Sequence, residues 1–158
     1  MELLSDRALS GAVSAAVHRL TVRVYFEDTD AGGVAYHASY LRFFERARWE
    51  LFALCGVDLV AALREGVGSY VVIDAHLRYH HPARLGDVLT IASRLAEIRG
   101  STCVVQQKVM REGLLLVEGR IALAFVGPNG KPRRQPAAWV KAFEAVMGPT
   151  ATGATSKA

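Results

Sequence analysis

The sequence predicts an α+β domain in which a curved antiparallel sheet wraps around one long central helix. Three observations predict it. Residues 39–54 carry a broad apolar stripe at helical spacing, with Tyr40, Phe44, Ala47, Leu51 and Leu54 in line and Phe43 and Phe52 widening it. Four long segments with strand periodicity follow, joined by short turn sequences. One further strand precedes the helix. A helix with so wide an apolar surface must be covered, and consecutive strands joined by tight turns run largely antiparallel. A sheet that curls over the helix satisfies both requirements.

The elements follow in order. Residues 1–18 form an alanine-rich leader of uncertain structure, with room for a short helix. Residues 20–26 alternate Leu, Val, Val and Phe with Thr, Arg and Tyr, which is the period of a strand. Residues 28–36 are loop by composition. Ser39–Leu54 is the central helix, with Arg42, Arg46, Trp49 and Glu50 on its polar side and Gly56 as its stop. Residues 57–64 make a second short helix ending at Gly66. Ser69–Tyr79 is a strand with Val71, Ile73, Ala75, Leu77 and Tyr79 on one face. His80, His81 and Pro82 end it, and Leu85, Gly86 and Asp87 make a turn. Val88–Ile98, residues 101–110 and Leu114–Val126 are the remaining strands, separated by Arg99-Gly100 and by Arg111-Glu112-Gly113. Pro128-Asn129-Gly130 turns the chain again, and Ala137–Met147 closes the domain as a helix. The main domain is expected over residues 19–147. Residues 148–158 are Gly, Thr, Ser and Ala with little to bury, the composition of a disordered tail.

Composition excludes several classes. The chain has 158 residues, enough for one core without disulfides or metal. Its apolar runs are too short to span a bilayer. The N-terminus lacks the basic-then-apolar build of a signal peptide, which leads to a cytoplasmic expectation. Cys55 and Cys103 are too few for a disulfide framework and form no Cys-x-x-Cys pair. The net charge of +4 is modest. With no basic block interleaved with aromatics, the signal for nucleic acid is weak, and a small anionic ligand fits at least as well.

The chemistry concentrates in Asp28-Thr29-Asp30-Ala31-Gly32-Gly33 and the residues up to His37. By itself this run is equally a plain turn, because Asp and Gly are favoured there. A calcium loop matches at Asp28, Asp30 and Gly33 but fails at its closing position, where Ser39 replaces the bidentate Glu. Asp28, Asp30 and His37 lack a second histidine at metal-ligand spacing. His80 and His81 read as structural strand-end residues. No Gly-x-Ser-x-Gly elbow is present. What stands out is a carboxylate, a glycine-bearing loop and a helix N-terminus in one short run. Free N–H groups at a helix start favour negative charge, and a nearby carboxylate can act as base or nucleophile.

The run from Tyr25 to Tyr40, followed by Phe44-Glu45-Arg46-Ala47-Arg48, resembles the hot-dog acyl-CoA thioesterases. It is similar to the 4-hydroxybenzoyl-CoA thioesterase branch, and most to the subfamily associated with the Tol-Pal system. Glu118-Gly119-Arg120, residues 123–126 and Gly130-Lys131-Pro132-Arg133-Arg134 add to the likeness, which covers roughly residues 20–146. The resemblance implies a central helix in a curved sheet and hydrolysis of acyl-CoA. It implies Asp30 as the catalytic carboxylate and His37 as the helix-start residue whose backbone N–H polarises the thioester carbonyl. It further implies Tyr36, Arg99, Lys131, Arg133 and Arg134 as substrate-binding residues, the cations at the phosphates of coenzyme A. No metal or cofactor is implied, coenzyme A being part of the substrate. The implied assembly is a homodimer or a dimer of dimers, a homotetramer, with the site between paired subunits. The competing expectation is a non-hydrolytic acyl-CoA-binding or envelope-associated scaffold module of the same fold.

Overall fold

The computed structural model describes residues 7–148. A single helical turn, α1 (Arg7–Ser10), leads into β1 (Ala12–Ser14) and β2 (Val17–Arg23). The central helix α2 (Ser39–Leu54) and the short α3 (Leu59–Arg64) come next. Four strands follow: β3 (Ser69–Tyr79), β4 (Val88–Ile98), β5 (Thr102–Arg111) and β6 (Leu114–Val126). The last helix is α4 (Ala137–Met147). The six strands form one sheet in the order β1-β2-β4-β5-β6-β3, and every neighbouring pair is antiparallel.

The central helix begins and ends where its stripe predicts. Phe43, Phe44, Ala47, Leu51 and Phe52 are buried against Leu89, Ile91, Val105, Val109 and Ile121 of the sheet. Each Phe, Leu, Ile or Val among them contributes about 1.5–3 kcal/mol by leaving water. Phe44 lies directly over Gly119, where an added Cβ would come within 2.6 Å of the ring, so the glycine makes room for the helix. Leu54, placed on the apolar stripe by periodicity, is exposed at the helix end. Arg48 is buried in its place on the inner side. Its Nη1 donates to Gln107 Oε1 at 2.9 Å. The Gln107 amide in turn donates to the Phe44 carbonyl at 2.9 Å and to Ser93 Oγ at 2.8 Å. One side chain from β5 thereby ties the helix backbone to the sheet.

Three details differ from the sequence expectation. The strand expected over residues 20–26 runs from Val17 to Arg23. Its early stop has a local cause, because Tyr25 caps a 3₁₀ turn over Phe26–Asp28 and the alternation of apolar residues continues past the last strand residue. Asp58 caps α3 by accepting the Ala61 N–H at 2.9 Å, so that helix starts at Leu59 and not at residue 57. The largest difference is topological. β3 does not pair with β4 but lies at the far edge against β6. The His80 and His81 N–H groups both turn to the Leu116 carbonyl, and residues 80–87 then cross the end of the sheet to reach β4. The three-strand meander is β4-β5-β6, with Glu112 and Gly113 at φ 49° and 81° making the tight turn between β5 and β6.

The face expected for β3 is also interrupted. Its register against β6 shifts between Val72 and Asp74, a bulge that resets the alternation. Val71, Val72 and Ile73 are 40%, 52% and 58% exposed, while Tyr70 and Leu77 pack against the core. The outer side of β3 pairs with no strand among the described residues. The sequence-based tail over residues 148–158 lies, but for Gly148, outside the described residues, as do residues 1–6 of the leader. No helix among the described residues is long and apolar enough to cross a membrane.

Candidate active site

The motif between β2 and α2 folds as a small hairpin that delivers the chain to the helix start. Asp28 is its anchor. The side chain is 1% exposed, and its Oδ2 accepts the Tyr25 N–H at 2.8 Å. Its carbonyl accepts the Tyr36 N–H at 2.7 Å and the Ser39 hydroxyl at 2.9 Å. Thr29 bridges Ala35, and the Asp30 N–H donates to the Val34 carbonyl at 3.0 Å. The turn closes with the Gly33 N–H on the Asp30 carbonyl at 3.0 Å, and Gly33 takes φ +76°, which only glycine adopts freely. The Asp30 carboxylate is exposed at this tip. Its Oδ1 accepts the Gly32 N–H at 2.8 Å, which fixes the rotamer. Two carboxylates two residues apart thus meet different surroundings: Asp28 is buried and bonded, Asp30 is open to solvent.

The paired strands of this hairpin end at Tyr36, and His37 and Ala38 lead into α2. The Ser39 N–H turns back to the Tyr36 carbonyl at 2.8 Å. No side chain caps the helix. Among the described residues, neither the His37 nor the Ala38 N–H finds an acceptor. The His37 carbonyl accepts the Tyr79 hydroxyl at 2.8 Å. The Tyr36 and His37 rings stack at 4.3 Å. Ala35, His37, Tyr40, Tyr79, His80 and His81, with Pro82, line a cavity of about 220 Å³ beside this helix start. Burial holds the Tyr40 and Tyr79 phenols above the ordinary tyrosine range, so both hydroxyls stay protonated and able to donate. The Tyr40 hydroxyl also accepts the Ala83 N–H at 3.1 Å.

His80 and His81 read as strand-end residues in the sequence. They do end the strand through Leu116, yet they also line the cavity. His80 Nε2 lies 3.2 Å from Glu118 Oε1. Sequence reasoning gave Tyr79 only a strand face. Its hydrogen bond to His37 spans 42 positions and depends on the β3–β6 pairing. The one usable signal was the pair of aromatic residues at the end of β3 and the start of α2.

The expected basic residues lie elsewhere in the chain's own fold. Arg99 sits at the turn between β4 and β5, where its Nη2 lies 3.4 Å from Glu97. Gln135 joins that turn to the segment after β6, with its N–H on the Gly100 carbonyl at 2.8 Å and its amide on the Arg99 carbonyl at 2.6 Å. Arg134 is exposed next to it, and Lys131 is exposed in the preceding turn. Arg133 reaches back to the Gly66 and Val67 carbonyls at 3.2 and 2.6 Å. This cluster adjoins Ser69 and Val126, whereas the motif adjoins Tyr79 and Val117. The 11 residues of β3 separate the two by about 33 Å. Within one chain Asp30, Tyr36 and His37 lie on one hairpin and the helix start it feeds, while Arg99, Lys131, Arg133 and Arg134 lie at the opposite end of the sheet.

A larger cavity, about 600 Å³, lies on the sheet face turned away from α2, lined by Arg78, Arg94, Lys108, Glu118 and Arg120 among others. It holds none of the hairpin residues. Among the described residues no group of three or more His, Cys, Asp or Glu is placed to hold a metal ion.

Residues 24–145 match the profile of the Thioesterase-like superfamily. The chain is 40% identical over 134 residues to the acyl-CoA thioester hydrolase YbgC of Escherichia coli O6:H1, covering 84% of this chain and 99% of that one. A solved probable thioesterase from Bartonella henselae superposes with a TM-score of 0.73 at 35% identity, over 77% of this chain and all (100%) of that one. A solved 4-hydroxybenzoyl-CoA thioesterase shares the fold, with a TM-score of 0.73 at 22% identity, over 81% of this chain and 99% of that one. The hairpin, the helix it feeds and the sheet around them are those of one family: the chain belongs to the Thioesterase-like superfamily.

Proposed function

We propose that this protein is a thioester hydrolase that cleaves small to medium acyl-CoA substrates to the free acid and coenzyme A. The names of its relatives support the reaction class. The observation that carries the reading is local. One hairpin holds the Asp30 carboxylate in the open and ends at a helix start whose His37 N–H has no acceptor among the described residues.

The chemistry follows from that pairing. When the thioester carbonyl is attacked, negative charge grows on its oxygen. The fixed His37 N–H, with the helix dipole behind it, stabilises that charge, and losing such a donor costs about 10²–10³ in rate. Asp30 supplies the attack by one of two routes. Its carboxylate adds to the carbonyl carbon, the C–S bond breaks, and water then cleaves the mixed anhydride. Alternatively it takes a proton from water as that water attacks. In both routes the leaving sulfur ends as the free thiol of coenzyme A. Incorporation of ¹⁸O from labelled water into Asp30 during one turnover marks the first route. In this reading Tyr36, exposed beside His37, is a substrate-binding residue; its exposure and its contact with the His37 ring support that role.

A second copy of the chain completes the reading. β3 offers an unpaired edge with Val71, Val72 and Ile73 exposed, and such edges are normally covered. Two copies joined antiparallel along this edge about a two-fold axis set the Tyr79 end of one beside the Ser69 end of the other. The partner's Arg99, Lys131 and Arg134 then stand near Asp30, where they can meet the phosphates of coenzyme A. A homodimer, or a dimer of dimers, is the assembly this geometry favours, and acyl-CoA as substrate goes with a cytoplasmic setting. A link to the Tol-Pal system belongs to the same proposal. The test is a panel of acyl-CoA thioesters followed by free-thiol release. Turnover by the wild type, and a loss of at least about 10²-fold in Asp30→Asn, is the expected result. Binding without thiol release would instead identify a non-hydrolytic module.

A further inference from the structure

We infer that Tyr79 is a positioning residue for the reaction: its hydroxyl fixes and polarises the peptide between His37 and Ala38, so that the Ala38 N–H acts as a second oxyanion donor beside that of His37. The inference rests on the thioesterase reading and names a part of the same site. The first observation concerns the residue just outside the helix. His37 precedes the N-cap Ala38, so its carbonyl stands before the helical hydrogen-bond ladder and has no partner assigned by it. The Leu41 N–H goes to the Ala38 carbonyl at 3.2 Å and the Ser39 N–H to the Tyr36 carbonyl at 2.8 Å. No backbone N–H among the described residues reaches the His37 carbonyl. The Tyr79 hydroxyl, arriving from β3, takes that place at 2.8 Å.

The His37 carbonyl and the Ala38 N–H belong to one peptide group. A hydrogen bond donated to the carbonyl draws electron density toward oxygen and makes the N–H at the other end a stronger donor. The His37 N–H gains in the same way, because the Tyr36 carbonyl of its own peptide accepts the Ser39 N–H. Both free donors therefore carry a bonded carbonyl behind them, one supplied by the helix turn and one by Tyr79. The phenol is held in position by its ring, which meets Tyr40 edge to face at 5.7 Å and 70°. Tyr79 and His37 also line the same cavity, so the bond sits at its wall.

Tyr79→Phe keeps the ring and its contact with Tyr40 and removes only the hydroxyl. The donor N–H groups stay, so the loss is smaller than that of deleting one: kcat falls about 10-fold. KM changes little, because the donor meets the carbonyl in the bound substrate but strengthens most as charge develops on its oxygen. The thermal midpoint drops by no more than about 4 °C, the shift expected for one lost hydrogen bond. A spectroscopic arm reads the polarisation itself. An acyl-CoA carrying a ¹³C-labelled thioester carbonyl is bound to Asp30→Asn, and its carbonyl stretch is compared with that in Asp30→Asn with Tyr79→Phe. A move to higher frequency in the double variant is expected. An unchanged kcat, a loss confined to KM, or an unmoved carbonyl stretch overturns the role of Tyr79. An Asp30→Asn enzyme that still hydrolyses acyl-CoA overturns the underlying reading instead.

Discussion

The two ends of the β3–β6 ladder differ in how they are made. At one end, the Asp30 hairpin and the start of α2 come from a single continuous stretch, and hydrogen bonds at Tyr25, Asp28, Asp30, Gly33, Ala35, Tyr36 and Ser39 hold it in place. At the other end, Arg99, Lys131, Arg133 and Arg134 come from two turns far apart in sequence, joined through Gln135. The first end is rigid and carries the carboxylate. The second carries exposed cations, one of which, Arg133, is already engaged by the Gly66 and Val67 carbonyls. In the proposed reading, the carboxylate end cleaves the thioester and the cationic end holds its phosphates. The separation along β3 means that a site using both ends draws them from two chains.

The largest effects should appear at the hairpin. Asp30→Asn is expected to lose at least about 10²-fold in turnover with its thermal midpoint unchanged, because the side chain is exposed and its bond to Gly32 survives the substitution. Asp28→Asn should show the opposite balance. It weakens a buried acceptor of the Tyr25 N–H, so a loss of about 1–3 kcal/mol in stability, read by thermal melting, should exceed any direct loss in chemistry. Equal loss of turnover at unchanged stability in both would erase the distinction between the two carboxylates.

The next effect concerns the edge between the two ends. Val72→Lys puts a charge on the exposed side of β3, where two copies would meet. Light scattering should report a shift toward the monomer, and activity should fall with it. A fully active monomer would show that each chain is complete by itself.

A smaller effect is expected at the basic end. Arg99→Ala with Arg134→Ala should raise KM for acyl-CoA several-fold and leave kcat nearly unchanged, since a phosphate contact is equally present before and during the reaction. KM of the wild type should climb with ionic strength as these exposed charges are screened. A truncated thioester without the nucleotide should respond to neither. Arg133 is a poor choice for this test, because its removal also frees the two carbonyls at the end of α3.

The sequence made legible whatever depends on neighbours in the chain. The stripe from Tyr40 to Leu54 placed α2 at Ser39–Leu54, and the run from Asp28 to His37 read as a loop leading to the helix start, its hairpin pairing not foreseen. What stayed hidden was pairing. Leu85-Gly86-Asp87 has the composition of a hairpin turn, so β3 and β4 looked adjacent. In fact Arg111 and the Arg84 N–H bind Asp87 at 2.6 and 2.8 Å and hold a crossing at the sheet end. Once β3 lies against β6, Tyr79, His80 and His81 come to the helix start. The same swap leaves a free edge on β3 and sends the basic turns to the far end. The burial of Arg48 had no sequence signal either, because its partner Gln107 is 59 positions away.

The claim that the site is shared between two chains can be tested by mixing variants. Asp30→Asn chains lack the carboxylate, and chains with Arg99→Ala and Arg134→Ala bind substrate weakly. In a two-fold dimer of one chain of each kind, one site receives an intact Asp30 from the second chain and intact cations from the first. Unfolding and refolding an equal mixture should restore turnover at the wild-type KM, at about half the wild-type rate for each mixed dimer. Activity that never exceeds the sum of the two parents would show that Asp30 and the cations do not work across the pair.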